Sequence, residues 1–163
     1  MKEIDNTKFL ELAQMILLLG NSQKNIIYEK HKFMTFLFFI KNPLYLGKLC
    51  EKIHPEFSKN IHLNHTEEYN LLYDIERISV WNSKNDLNIA YLLGKGLVNV
   101  ELTDKGYSFS LTLEGLKLFK SLKNDKSMQI ENIRSKIINN IFKKESFNEI
   151  KGIIIDNFKE LNL

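Results

Sequence analysis

The chain has 163 residues, of which 44% are hydrophobic and 26% charged, with a formal net charge of +3. This balance supports a buried core and excludes a disordered chain, while the small positive excess excludes the strongly basic class of nucleic-acid coat proteins. A single cysteine, Cys50, excludes an internal disulfide framework and favours a reducing, cytoplasmic location.

The N-terminal third predicts three helices. Apolar spacing indicates a helix over about residues 7–19 and a second over about 25–41, whose end at 33–40 is apolar nearly all round. A short helix over 44–53 follows Pro43, and together with the second it would form the first two helices of a helix-turn-helix. The apolar runs are far shorter than a bilayer span, so we expect no membrane contact.

Residues 55–65 are polar and irregular and predict a loop, and an amphipathic helix is expected over 66–82 as an insertion. Cys50, His54, His62 and His65 suggest zinc by residue type. Their spacing fits no compact zinc module, and a buried thiol beside a polar loop explains them. We therefore expect no metal site.

Residues 86–122 predict a helix, a two-stranded hairpin and a second helix. Leu87, Ala90 and Leu93 recur at helical spacing and are assigned to the core, and Gly96 is expected as a left-handed C-cap. Residues 97–102 and 107–111 alternate between apolar and polar side chains on either side of a turn. Thr112 is expected to cap the following helix.

This assignment gives the first candidate site. It turns Asn88, Tyr91 and Lys95 outward, with Lys84 just before them and Lys105 at the hairpin tip. An Asn side chain can pair with adenine, and Tyr and Lys can reach phosphates, so these five residues are candidates for nucleic-acid binding. The alternative is a solvated or partner-facing surface, because acidic neighbours dilute the positive charge.

Arginine is scarce in the chain. Only Arg77 and Arg134 are present, and the remaining positive charge comes from lysine. Arginine is the residue that most often forms bidentate hydrogen bonds with guanine, so a chain with two arginines has few side chains for sequence-specific DNA recognition. An AT-rich coding sequence accounts for the same composition without any functional meaning.

The C-terminal region, residues 123–163, predicts further helices. In the last one an apolar face is formed by Ile150, Ile154, Phe158 and Leu161. That face either folds back on its own core or forms a homodimer or partner interface. The chain contains no Gly-rich phosphate loop, HExxH motif or nucleophile elbow, so we expect neither an enzyme nor a cofactor.

The helix at 44–53, "YLLGKGLVNV" at 91–100 and "GYSFSLTLEGLKLF" at 106–119 together resemble the winged-helix superfamily. The resemblance implies a mainly α fold with a small β-hairpin, a winged helix-turn-helix with N- and C-terminal helical extensions. The chain would be a single domain, 1–163, with a core at about 25–122, a helical insertion at 66–82, an N-terminal helix within 1–24 and C-terminal helices in 123–163.

In size and layout the chain is also similar to the small middle components of bacterial ABC-ATPase three-component defence systems. The Lamassu-type anti-phage systems, built around an SMC-like ATPase, belong to this group. The similarity implies a non-enzymatic adaptor that docks on the ATPase and on a nuclease or effector subunit, near DNA. The alternative is a dimeric winged-helix transcriptional regulator that contacts DNA through the candidate residues.

Overall fold

The computed structural model describes residues 6–61 and 78–157, which are mainly helical with a small antiparallel sheet. The first part of the chain contains α1 (Asn6–Gly20), β1 (Ile26–Tyr28), α2 (Lys30–Lys41), α3 (Pro43–Ile53) and α4 (Pro55–Ser58). The second part contains α5 (Ile78–Gly94), β2 (Val98–Thr103), β3 (Gly106–Leu111), α6 (Leu113–Asn124), α7 (Gln129–Ile141) and α8 (Phe147–Asn157).

The sheet has three strands in the order β1-β3-β2, all antiparallel. The predicted hairpin is confirmed, with Val98 opposite Leu111 and Thr103 opposite Gly106. Strand β1 is an addition, because residues 26–28 were expected to begin the second helix. They cannot do so, since Asn25 and Glu29 take positive φ angles of 56° and 68° on either side of the strand.

Both predicted ends around the hairpin are confirmed. Gly96 has a φ of 66°, and the amide of Leu97 donates to the carbonyl of Leu92 at 3.0 Å, which closes α5 with a Schellman motif. Thr112 caps α6 through its hydroxyl, which accepts a hydrogen bond from the amide of Gly115 at 3.0 Å. The turn after α5 and the start of α6 are therefore fixed by local chemistry.

Helix α1 lies in the core, and residues 15–19 have no exposed surface. Helices α2, α6 and α7 all pack against it. A polar seam joins α1 to α7, where the Asn21 amide donates to Asn132 Oδ1 at 2.9 Å and Ser135 Oγ at 2.6 Å. Arg134 belongs to this interior, with only 3% of its surface exposed and its Nε donating to the carbonyl of Ile61.

Helix α8 packs against α2, and this contact buries two of the four residues predicted to form a partner interface. Ile150 and Ile154 are 0% and 2% exposed, so the expectation that they form a partner surface is wrong. Their apolar side chains are used by the protein's own core, which was the alternative left open. Phe158 and Leu161 lie outside the described residues.

Two boundaries also differ from the prediction. Most of the expected helix over 66–82 lies outside the described residues. Its last residues belong to α5, which runs without a break from Ile78 to Gly94, so the predicted break between a helix ending at 82 and another beginning near 86 is wrong. The expected loop after residue 54 begins with the short helix α4, because Pro55 occupies the first helical position and presets its φ. None of the helices within residues 6–61 and 78–157 is long and apolar enough to cross a membrane.

Candidate interaction surface

The face that α5 turns toward the core differs from the predicted one. Asn85, Asn88, Ile89 and Leu92 are buried, whereas Leu87 is 72% exposed and Leu93 48%. The assignment of Leu87, Ala90 and Leu93 to the core is therefore wrong. Two sets of residues on this helix recur at helical spacing, and the buried set is the one that contains Asn85 and Asn88. Burial of these asparagines requires hydrogen-bond partners for their side-chain amides.

Glu11 of α1 supplies the partner of Asn88, whereas the side-chain carbonyl of Asn85 accepts a hydrogen bond from Lys41 at 3.2 Å. The Glu11 carboxylate accepts a hydrogen bond from the Asn88 amide at 2.9 Å and pairs with the ammonium groups of Lys84 at 2.9 Å and Lys41 at 3.5 Å. Burial would raise the pKa of Glu11, but the hydrogen bonds from Lys84 and Asn88 and the charges of both lysines lower it below its usual value. Asn88 is therefore not free to read a base, and its predicted outward orientation is wrong.

The other predicted nucleic-acid residues lie at the surface in two groups. Lys84, Tyr91 and Lys95 lie along one edge of α5, and the Tyr91 ring is 41% exposed. The ammonium groups of Lys8 and Lys95 lie 4.8 and 5.5 Å from its centroid. Lys105 is separate, at the hairpin tip, 5.8 Å from the centroid of the Tyr28 ring.

We call the exposed stripe of α5, formed by Leu87, Ala90, Tyr91 and Leu93, the α5 outer surface. Its chemistry is asymmetric. The Tyr91 edge carries lysines, whereas on the opposite edge Asp86 pairs with Lys30 at 2.8 Å. The result is an apolar stripe with cations along one side, and sequence reasoning missed its leucines because apolar residues at helical spacing are normally assigned to a core.

Of the four suspected metal ligands, only Cys50 and His54 lie within the described residues. Among the described residues, no group of three or more His, Cys, Asp or Glu side chains could hold a metal ion. Cys50 is buried, and His54 Nδ1 lies 3.1 Å from Glu56 Oε1. His62 and His65 lie outside the described residues.

Cys50 is expected to be chemically inert in the folded protein. Burial, reinforced by the charges of Glu56 and Glu51, raises the pKa of its thiol to about 11. The thiolate is the reactive form, so a thiol-specific reagent at pH 8 should label Cys50 at least 100-fold more slowly than the urea-unfolded chain. Equal labelling rates in the two states, measured by mass spectrometry, would show that the thiol is accessible.

No protein family, curated protein or solved structure matches the chain.

Proposed function

We propose that the protein is a non-enzymatic winged-helix adaptor that docks a protein partner through the α5 outer surface. The observation that carries the proposal is the exposure of Leu87, at 72%, on a helix whose other face is already packed. A contiguous exposed apolar stripe is typical of an interaction site in a folded domain. Tyr91 at its edge is a residue type enriched among the anchors of protein interfaces.

The winged-helix interpretation is supported by the arrangement around the hairpin. A helix leads through a Gly-closed turn into β2 and β3, and a Thr-capped helix follows. In a winged helix the element before the hairpin is the recognition helix, which is α5 here. Its outward side chains include Leu87 and Leu93 beside the cationic edge, and leucines do not donate or accept the hydrogen bonds that read a major groove.

The charge pattern defines the partner. Lys8 and Lys95 flank Tyr91 on one side of the stripe, so a complementary partner has an apolar centre with carboxylates along the matching edge. On the resemblance stated above, the partner is the SMC-like or ABC ATPase of a bacterial anti-phage complex, or its effector subunit. The protein is then an accessory subunit of that complex.

A weak DNA contact is compatible with this role, and the rival function is a DNA-binding regulator. Lys95 and Lys105 are exposed and can reach phosphates. Asn88 and Arg134 are buried, so these two side chains, which are of types suited to base recognition, are engaged inside the protein, and Arg77 lies outside the described residues. The second role is accordingly limited to salt-sensitive backbone contact.

The proposal predicts that Leu87 contacts the partner directly. A photo-crosslinking amino acid at position 87 should capture one protein in the native cell, and the same group at Lys136 on α7, which is also exposed, should not. With the purified partner, Leu87→Asp should weaken binding at least tenfold, because it places a carboxylate in an apolar contact. The thermal midpoint should change little, since the side chain is exposed.

Two results would contradict the proposal. One is equal crosslinking from positions 87 and 136, or unchanged affinity of Leu87→Asp for the captured protein. The other is tight binding of the isolated protein to one duplex sequence, measured by fluorescence anisotropy, with weaker binding and a shallower salt dependence in Lys95→Gln and Lys105→Gln. The second result would establish the regulator instead.

A further inference from the structure

A cleft of about 240 Å³ lies between the turn that precedes β1, helix α2 and the end of α7, and none of the described residues of α5 lines it. Its exposed apolar lining comes from Ile26 and Tyr28, whereas Ile27, Phe36 and Phe142, which also line it, are almost fully buried. Three lysines, Lys24, Lys32 and Lys143, complete its polar side together with the amide of Asn139. Among the described residues that line the cleft, none is acidic.

Lys32 is the central cation of the cleft. Its ammonium group donates to the backbone carbonyl of Glu145 at 2.7 Å and lies 5.8 Å from the centroid of the Phe36 ring. Desolvation lowers the pKa of Lys32, and nearby carboxylates, with Glu29 first, oppose that shift. A carbonyl uses one of the three ammonium protons, and the other two can donate to an anion in the cleft.

The nearby carboxylates have hydrogen bonds of their own. Glu29 accepts from the amide of Phe147 at 2.8 Å, and Glu149 accepts from the amide of Ser146 at 2.6 Å. Both carboxylates therefore help to cap the start of α8. These carboxylates keep their charge, but none of them lines the cleft, where Lys24 and Lys143 join Lys32.

The backbone around the cleft is strained. Lys24 and Asn25, before β1, both have a φ of 56°, and Glu29, after it, has a φ of 68°. Left-handed residues other than Gly are strained, and such residues concentrate at ligand sites. The conformation of Lys24 places this residue in the lining of the cleft.

From these features we infer that the cleft binds a small organic anion, with a carboxylate or phosphate group among Lys24, Lys32 and Lys143 and a short apolar body against Ile26 and Tyr28. The volume is below the lower limit of drug-sized pockets, about 300 Å³, so the ligand is small. This site is separate from the α5 outer surface and adds a ligand to the proposed adaptor.

Benzoate, phenyl phosphate and neutral benzamide are suitable probes, because they share an aromatic ring and differ in charge. In amide NMR titrations, one of the two anions should shift the resonances of Ile27, Phe36 and Phe142 saturably, and benzamide should bind at least tenfold more weakly. The tighter anion distinguishes a carboxylate from a phosphate ligand. Inorganic phosphate alone should bind more weakly than phenyl phosphate, since it leaves the apolar wall uncovered.

Variants locate the charge that is responsible. Lys32→Met should weaken the better anion at least tenfold, and Lys143→Gln, at an exposed position, about threefold. Lys136→Met, on α7 but outside the cleft, should leave the affinity unchanged. Leu87→Asp should also bind the anion normally, so the two proposals can fail independently.

Any of three outcomes overturns the inference. They are the absence of saturable shifts with either anion, equal binding of benzamide and benzoate, and unchanged affinity in both Lys32→Met and Lys143→Gln. Lys143→Gln keeps the test valid if loss of the bond to Glu145 unfolds Lys32→Met, which circular dichroism would show.

Discussion

Replacing Glu11 by Gln is expected to lower the free energy of unfolding by about 2–3 kcal/mol at pH 7. Glu11 is 8% exposed, and its carboxylate is the shared partner of Lys41, Lys84 and Asn88. The substitution removes the negative charge and leaves Lys41, whose side chain is only 15% exposed, without that counter-charge. Urea unfolding followed by circular dichroism measures the loss.

The same change has a defined pH dependence. The pKa of Glu11 is lowered in the folded state, so its contribution is present above its unfolded value near 4.5 and is lost as the pH falls through the lower folded value. The difference between wild type and Glu11→Gln should therefore shrink below pH 4. A difference that stays constant down to pH 3 would mean that the carboxylate charge is not the source of the stability.

Glu114 provides the matched control for Glu11. It pairs with Lys117 at 2.6 Å, but both side chains are more than half exposed, so Glu114→Gln should change the free energy of unfolding by less than about 0.5 kcal/mol. A similar loss in both variants would show that removing any carboxylate from this basic chain destabilises it. The hydrogen bonds and ion pairs around Glu11 would then not be the cause of the loss.

Gly115→Ala is the second substitution with a large expected effect, a loss of about 3 kcal/mol in the free energy of unfolding. A Cβ at this position would overlap the backbone carbonyl oxygen of Leu97, which also accepts from the amide of Thr112 at 3.1 Å. The carbonyl cannot move without disturbing the start of α6, so the overlap must be relieved by shifting the helix. Thermal and urea unfolding should both report the loss.

Two other glycines test this explanation. At Gly152, within α8, a Cβ meets nothing within 4 Å, so Gly152→Ala should stabilise the protein by about 0.5–1 kcal/mol through helix propensity. At Gly20 a Cβ would overlap the ring of Phe119, so Gly20→Ala should also destabilise the protein, through displacement of a side chain instead of the backbone. If Gly115→Ala is as stable as wild type, the Leu97 carbonyl does not exclude a Cβ at position 115 and the explanation is wrong.

The parts of the fold that follow from neighbouring residues were predictable. Gly96 and Thr112 act within a few positions of themselves, and the hairpin alternation is local, so their structures agree with the sequence pattern. Strand β1 was missed because its pairing partner, β3, is distant in the chain. Three residues of alternating burial are too few to oppose the helical pattern that follows them.

The candidate site was predicted only in part, for the same reason. Lys84, Tyr91, Lys95 and Lys105 are at the surface as expected, whereas Asn88 is buried because Glu11, far away in the sequence, accepts its hydrogen bond. The residues near Asn88 in the sequence carry no pattern that would indicate Glu11 as its hydrogen-bond partner. Leu87 and Leu93 were then placed inside, since an apolar stripe is assigned to the core unless a polar stripe is known to be satisfied there.

The central position of α1 has a consequence for synthesis on the ribosome. Residues 15–19 are completely covered in the finished protein, and α6 and α7 supply much of the packing around α1. Because α7 ends at Ile141, this apolar segment leaves the exit tunnel long before its neighbours are made. At about 5–20 residues per second the delay is roughly ten seconds, during which the apolar residues of α1 lack the neighbours that cover them in the folded protein.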